Sequence, residues 1–273
     1  MEQYVLRGGH AGYKRLQLLA AALGPYSQAL FDRVGIAPGA HCLDLGCGGG
    51  EVSFELARRV GPSGHVLGVD MDEVKLSLAR QAAVERGLEH VEFRAMNVYE
   101  LSEPAVHDLV YCRMQLQHLS RPVDVLRRMW EAVAPGGAIV VEDADFYASF
   151  CEPPNPGFEF SLHTYCEALE RRGGDPAIGV KLFRYFREAG IPGATIDLVQ
   201  RVDAAGDTKW LTHSTLAATE AAIVAEGIAA AAAVATALAA LAEATADPAA
   251  IIGLPRTFQV WARREAQRRP GIT

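Results

Sequence analysis

Cys42-Leu43-Asp44-Leu45-Gly46-Cys47-Gly48-Gly49-Gly50 is a short apolar run that ends in four glycines within five positions. The residues that follow place Val52, Leu56 and Val60 at helical spacing. A strand, a glycine turn and a helix in that order bring bare backbone N–H groups up to a ligand at a helix N-terminus. Glycine is needed there because a Cβ obstructs both the tight turn and the ligand's close approach.

Four further elements extend outward from this stretch. Val66-Leu67-Gly68-Val69-Asp70 reads as a second strand ending in a carboxylate 24 positions after Gly46. An acidic residue at that place is suited to accept hydrogen bonds from ribose hydroxyls. Val91 to Asn97 reads as a third strand ending in an amide, and His107 to Cys112 as a fourth, followed by Gln115-Leu116-Gln117-His118-Leu119. Pro135-Gly136-Gly137 leads into a fifth strand through Glu142. Strands alternating with helical patterns indicate a parallel sheet with crossover helices. A dinucleotide fingerprint needs a third glycine three places after Gly48, and Glu51 stands there, which argues against a nicotinamide-dependent oxidoreductase even though that class shares the acidic residue.

The pattern Asp44-x-Gly46-x-Gly48-x-Gly50 resembles motif I of the class I S-adenosylmethionine-dependent methyltransferases, and the five elements together resemble the small-molecule branch of that family over about half the chain. The resemblance implies an α/β, Rossmann-like fold with a seven-stranded, mostly parallel sheet and a reversed last strand. It also implies S-adenosyl-L-methionine as cofactor and S-adenosyl-L-homocysteine as product. Gly46, Cys47 and Gly48 are then expected beside the methionine part, with Asp44 bracing the loop. Asp70 is expected on the ribose hydroxyls, Met71 against the adenine and Asn97 on the adenine amino group with Val98 adjacent. Cys112 and Arg113 are expected at the amino group, and Tyr4 in an N-terminal segment that folds over the sulfonium. Methyl transfer from a sulfonium chiefly requires an aligned nucleophile, so a general base is needed only for a weakly acidic acceptor. His118 and Asp143 are the catalytic candidates on that basis. Glu142 and Asp145 end the fifth strand beside Asp143, and alternation lets one of these carboxylates face the pocket; His10, Tyr13, His163, Tyr165 and Arg184 are expected either to reach a pocket formed by cap and insertion or to serve as packing and surface residues.

Organisation beyond the sheet follows from punctuation. Residues 1–36 read as an N-terminal helical cap: one helix ending at Gly24-Pro25 and a second from Ser27 to Val34. Residues 37–150 read as the cofactor-binding core and 151–273 as the remainder of the core with substrate-pocket helices. Asp72 is a good N-cap, Gly87 a good stop, and Ser120 with Pro122 opens another helix. Asp143 to Phe158 breaks the rhythm with three prolines and several aromatics, and reads as a loop that forms part of the substrate wall, the alternative being an aromatic-anchored surface connection. Two helices, 159–172 and 179–189, precede a sixth strand from Thr195 to Val202, and Thr257 to Arg263 is the seventh. Between them, the alanine-rich insertion 208–246 reads as helix interrupted at Gly227. It either covers the substrate pocket or packs against a second subunit in a homodimer.

Composition narrows the partners. A net charge of −7 lacks the basic excess of a nucleic-acid-binding surface. No stretch reads as a signal sequence or membrane span. The five cysteines have no metal-site or disulfide spacing, which with the rest gives the expectation of a cytoplasmic protein of secondary metabolism without a metal. The expected function is methylation of a small apolar or aromatic molecule. A cofactor-binding protein that promotes a rearrangement without methylating is the alternative.

Overall fold

The computed structural model describes residues 9–266. Its elements run α1 (Gly9–Val34), β1 (His41–Leu45), α2 (Glu51–Val60), β2 (His65–Asp70), α3 (Glu73–Glu85), β3 (Val91–Ala95), β4 (His107–Arg113), α4 (Pro122–Ala132), β5 (Val133–Asp145), β6 (Phe150–Glu152), α5 (Pro156–Arg171), α6 (Leu182–Glu188), β7 (Thr195–Val199), β8 (Val202–Asp203), α7 (Leu211–Ala225), α8 (Ala231–Ala246), β9 (Ile251–Gly253) and β10 (Arg256–Arg263). The main sheet has the order β3-β2-β1-β4-β5-β10-β7. All neighbouring pairs are parallel except those of β10, which runs antiparallel to both β5 and β7. The expected seven-stranded sheet with a reversed last strand is therefore the observed one.

Alternation along the strands sorts side chains onto two faces. Leu43, Leu45, Val110, Cys112, Ile139 and Val141 fall in a core with Leu126, Met129, Leu182 and Phe186 from α4 and α6. The intervening Cys42, Tyr111 and Val140 fall in the opposite core with Leu30, Phe31, Leu56 and Val60 from α1 and α2. Phe31 meets Tyr111 edge to face, ring centres 5.0 Å apart. The sheet is covered on both faces, as parallel strands require.

A third core lies away from the sheet. Phe158 of α5, Leu211, Leu216 and Ile223 of α7, and Val234, Ala237 and Leu241 of α8 pack with Ala22 of α1 and with Ile252 and Leu254. Small residues set the helix spacing here: a Cβ on Gly157 would lie 2.4 Å from the Ala237 carbonyl oxygen. The alanine-rich stretch is two helices with Gly227 between them in the left-handed region (φ 65°), as its composition indicates.

Four expectations need correction. The N-terminal cap is one continuous 26-residue helix with Pro25 inside it, not two helices. Leu18 and Leu19 ahead of the proline pack on the third core, while Leu30, Phe31 and Val34 behind it pack under the sheet. Burial at both ends outweighs the lost hydrogen bond that makes proline a helix breaker. Second, the segment after Glu142 does not leave the sheet at once. β5 continues to Asp145 because β10 pairs with it along its whole length, from Arg256 opposite Asp145 to Arg263 opposite Ala138. Third, β6 then joins a small sheet of order β6-β9-β8, so the expected sixth strand divides into β7 and β8. Prolines 153, 154 and 156 come directly after this edge strand, where a missing donor is tolerated. Fourth, β3 ends at Ala95, and Asn97 caps a 3-10 turn through Val98–Glu100.

Candidate functional site

The reversal of strand order between β1 and β4 opens a crevice at their carboxyl ends, where open α/β sheets bind ligands. The glycine loop follows β1 directly. Gly46 and Cys47 both donate their N–H to the Val69 carbonyl, at 2.8 and 3.0 Å, tying the loop to β2. Gly48 N–H donates to Asp70 Oδ2 at 2.9 Å, and Asp72 N–H to Asp70 Oδ1 at 2.9 Å. An ionised carboxylate has about four acceptor positions, so Asp70 is held by two backbone donors and retains capacity for a ligand's hydroxyls. Asp44 is buried beneath the loop and accepts from Ser53 Oγ at 2.6 Å, with burial raising its pKa to about 6.

The glycines divide by task. A Cβ on Gly46 would meet the Gln115 side chain, with Oε1 at 2.7 Å, and the residue sits at φ 74°. Gly50 is excluded from a side chain by Phe93 and Phe54, at 2.8 and 2.9 Å, a packing demand and not a ligand demand. Across the crevice Met114, a non-glycine residue at φ 54°, turns the chain after β4 and donates its N–H to the Glu142 carbonyl. A left-handed methionine stores local strain, the kind of backbone found at functional turns.

One cavity, with an empty volume of about 1010 Å³ including its mouth, runs from this crevice under the helices. Gly46, Gly48, Asp70 and Arg113 line one end. Leu19, Leu23, Phe158, Leu162, Leu211 and Leu254 make the apolar wall. The alanine-rich insertion contributes Leu211, Thr212 and Thr215 to it, so α7 covers the cavity. Leu16 of α1 lies over Gly48, within 3.2 Å of where a Cβ would stand.

The expected site residues are distributed unevenly about this cavity. Gly46, Gly48, Asp70, Arg113 and His118 line it, and Asp44 and Cys47 lie on the neighbouring face of the glycine loop. Met71 is exposed. Asn97 uses Oδ1 to accept the Tyr99 N–H at 3.1 Å, and Val98 and Cys112 have their side chains in the core, leaving only backbone for a ligand. Tyr4 and the side chains of His10 and Tyr13 lie outside the described residues. Tyr165 lines the cavity, but His163 and Arg184 are exposed and pair with Glu167 and Glu188.

The two catalytic candidates behave differently from expectation. His118 is half-buried at the cavity wall, and desolvation with the nearby Arg15 cation pushes its pKa down to about 3. It is neutral at physiological pH and a weak base. Asp143 is not among the residues lining the cavity. Its carboxylate accepts from the Gln117 N–H at 3.1 Å and its neighbour Ala144 N–H at 2.9 Å, and burial raises its pKa to about 7. The pleat turns Asp143 to the α4 face, where it braces the 116–118 turn, and turns Glu142 to the other face. Glu142 there accepts from the Tyr111 hydroxyl and, at 2.7 Å, from Gln259 Nε2. Asp145 pairs with Arg256 at 2.7 Å. None of the three carboxylates is placed as a general base.

Sequence reasoning missed Arg15, Leu16, Gln115, Gln117, Ser149 and Thr215. Arg15 lies inside the first cap helix, where its position in the sequence does not separate it from a surface arginine. Gln115 and Gln117 stood in the stretch after the fourth strand, with no pattern to separate them from surface polar residues. Among the described residues there is no group of three or more His, Cys, Asp or Glu able to hold a metal ion.

Residues 36–169 match a family model described as a methyltransferase domain. The chain is 38 % identical over 112 residues to a ubiquinone biosynthesis O-methyltransferase of Aeromonas salmonicida, covering 40 % of this chain and 45 % of that one. A protein of the same description from Hahella chejuensis is 35 % identical over 116 residues, covering 42 % and 47 %. The matched region therefore spans just under half the length of these curated relatives. Among solved structures, the YcgJ protein of Bacillus subtilis aligns with a TM-score of 0.59 at 16 % identity, over 87 % of this chain and 97 % of that one. The [4+2]-cyclase SpnF aligns at 0.53 and 19 % identity, over 89 % and 81 %. At these identities the structural likeness establishes the fold.

Proposed function

The chain belongs to the class I S-adenosylmethionine-dependent methyltransferases, and on that premise we propose that it methylates a small apolar or aromatic molecule held under its helical cover. The continuity of one cavity from the glycine loop to an apolar wall carries this reading. Bound at the loop, S-adenosylmethionine supplies a methyl group on a sulfonium, already activated and with a neutral leaving group.

The chain's own residues then bind, align and exclude water. Asp70, anchored by the Gly48 and Asp72 amides, takes the ribose hydroxyls. Gly46 leaves the loop backbone bare toward the crevice, and Asp44 braces the loop through Ser53. Arg113, whose Nη1 donates to Ser27 at 3.1 Å, and the backbone at Cys112 serve the amino-acid end, with Met71, Asn97 and Val98 at the base. The apolar wall fixes the acceptor in line, which is the larger part of catalysis for such a transfer. His118 orients the acceptor as a neutral hydrogen-bonding group and does not remove its proton. In this division of labour residues 37–150 serve the cofactor, while α1, α5, α7 and α8 serve the acceptor.

Thermal melting with S-adenosylmethionine, S-adenosylhomocysteine and NAD, in the wild type and Asp70→Ala, tests the proposal. Ligand at a hundredfold excess over its Kd adds roughly 2.7 kcal/mol, on the order of 5 °C. Stabilisation by both sulfur ligands, lost in Asp70→Ala, is the expected result. Stabilisation by NAD alone, or by none of them, refutes it.

A further inference from the structure

Three buried polar atoms on residues that line the cavity have no hydrogen-bond partner among the described residues: Gln117 Oε1, Tyr165 Oη and Ser149 Oγ. Gln117 and Tyr165 are each only 3 % exposed. Leaving such atoms unpaired costs about 1–3 kcal/mol each, so native structures rarely tolerate a cluster of them without a ligand or ordered water to satisfy it. Arg15, 8 % exposed, lies on the same wall. Its Nε donates to Thr215 Oγ1 at 3.0 Å, and among the described residues no carboxylate lies within ion-pairing distance of it. The cation acts on both the Tyr165 hydroxyl and the His118 imidazole, so these groups share one region of the cavity.

The roles of these atoms are fixed by chemistry. Gln117 Nε2 donates to the Met114 carbonyl at 3.2 Å, which settles the amide orientation and leaves Oε1, a pure acceptor, without a partner among the described residues. Tyr165 Oη can donate or accept, and the remaining guanidinium N–H groups of Arg15 can only donate. A ligand group must therefore donate to Gln117 while accepting from Tyr165 or Arg15. An ether or a hydrocarbon cannot donate. A carboxylate cannot donate either, and would set its charge against Gln117 Oε1. An ammonium can donate, but it would face the Arg15 cation.

Resting on the methyltransferase reading, we propose that Gln117, Tyr165 and Arg15 form a subsite for a neutral hydroxyl on an otherwise apolar or aromatic acceptor. Gln117 Oε1 receives the hydroxyl proton in a hydrogen bond, and Tyr165 with Arg15 donates to the hydroxyl oxygen. The cavity therefore selects hydroxylated molecules over their ethers and over charged ammonium compounds.

Calorimetric titration of the S-adenosylhomocysteine-saturated protein with 4-hexylphenol, its methyl ether and 4-hexylphenyltrimethylammonium tests this. The phenol is expected to bind about tenfold or more tightly than the ether, because the ether leaves buried groups unpaired. That ratio is expected to fall to about threefold or less in Tyr165→Phe and in Gln117→Leu, while the ether's own affinity and cofactor affinity persist, which also shows that the variants are folded. Equal binding of phenol and ether, tightest binding of the ammonium, no binding of any probe, or an unchanged ratio in both variants overturns the subsite and leaves the methyltransferase reading standing. Failure of S-adenosylhomocysteine itself to bind overturns both.

Discussion

At the scale of single residues, the site rests on positions where a small change in shape or charge has a definite sign. Gly46→Ala introduces a Cβ 2.7 Å from the Gln115 side chain at a backbone angle of φ 74°. It is expected to weaken S-adenosylhomocysteine binding by about tenfold or more, on the strain of an L-residue in the left-handed region alone, as read by calorimetry. Asp143 makes the protein's stability depend on pH. Its ordinary value of 3.8 is raised to about 7 by burial, so the folded state holds a proton that the unfolded chain releases. The stability this gives is complete below about pH 4 and is lost as pH rises through about 7. The wild-type Tm is therefore expected to fall between pH 6 and 8, and that of Asp143→Asn to fall less over the same range; parallel curves would remove Asp143 as the cause. The glycine turn, with Asp44 beneath it and Asp70 beside it, was legible because a tight turn between a strand and a helix demands particular residue types at fixed spacing. Asp143 was misread because a carboxylate at a strand end looks the same in sequence whether it faces a cavity or the backbone of the next turn. Only the pleat, counted from Ile139, tells them apart.

At the scale of elements, packing overrode local preference in one helix and fixed the spacing of two others. Pro25 interrupts the hydrogen-bond ladder of α1 without ending it. Pro25→Ala restores the missing donor, and the variant is expected to gain about 1–2 kcal/mol in urea unfolding, below the ~3 kcal/mol that proline costs an isolated helix, because the present structure has adapted to it. A loss of stability would mean that the proline's shape is needed at the join between the two packed halves of α1. Gly157→Ala forces α5 away from α8, where the Ala237 carbonyl leaves 2.4 Å for the new carbon. A loss of about 1–3 kcal/mol is expected, as for overpacked sites, again measured by urea unfolding. The alternation of strand and helix through β5 was legible because period and punctuation agree there. β8 and β9, of two and three residues, were not, because such short strands carry no period and are defined only by their partners.

At the scale of the whole molecule, the sheet and the helical cover have separate cores that meet along α1 and the cavity. Ligand binding is therefore expected to tighten the seam more than either core. Hydrogen exchange with and without S-adenosylhomocysteine is expected to slow in residues 46–50 and 113–118 and along the cavity face of α1, with β7 at the far sheet edge unchanged. Uniform slowing would point to one cooperative unit instead. The match to the methyltransferase family model ends at residue 169, within α5, and most of the cover lies beyond it. A cover with its own core can accumulate substitutions without loosening the glycine loop. The two halves can thus diverge at different rates, and exchange of the segment 207–250 between related chains becomes a practical route to new acceptors on an unchanged methyl donor site.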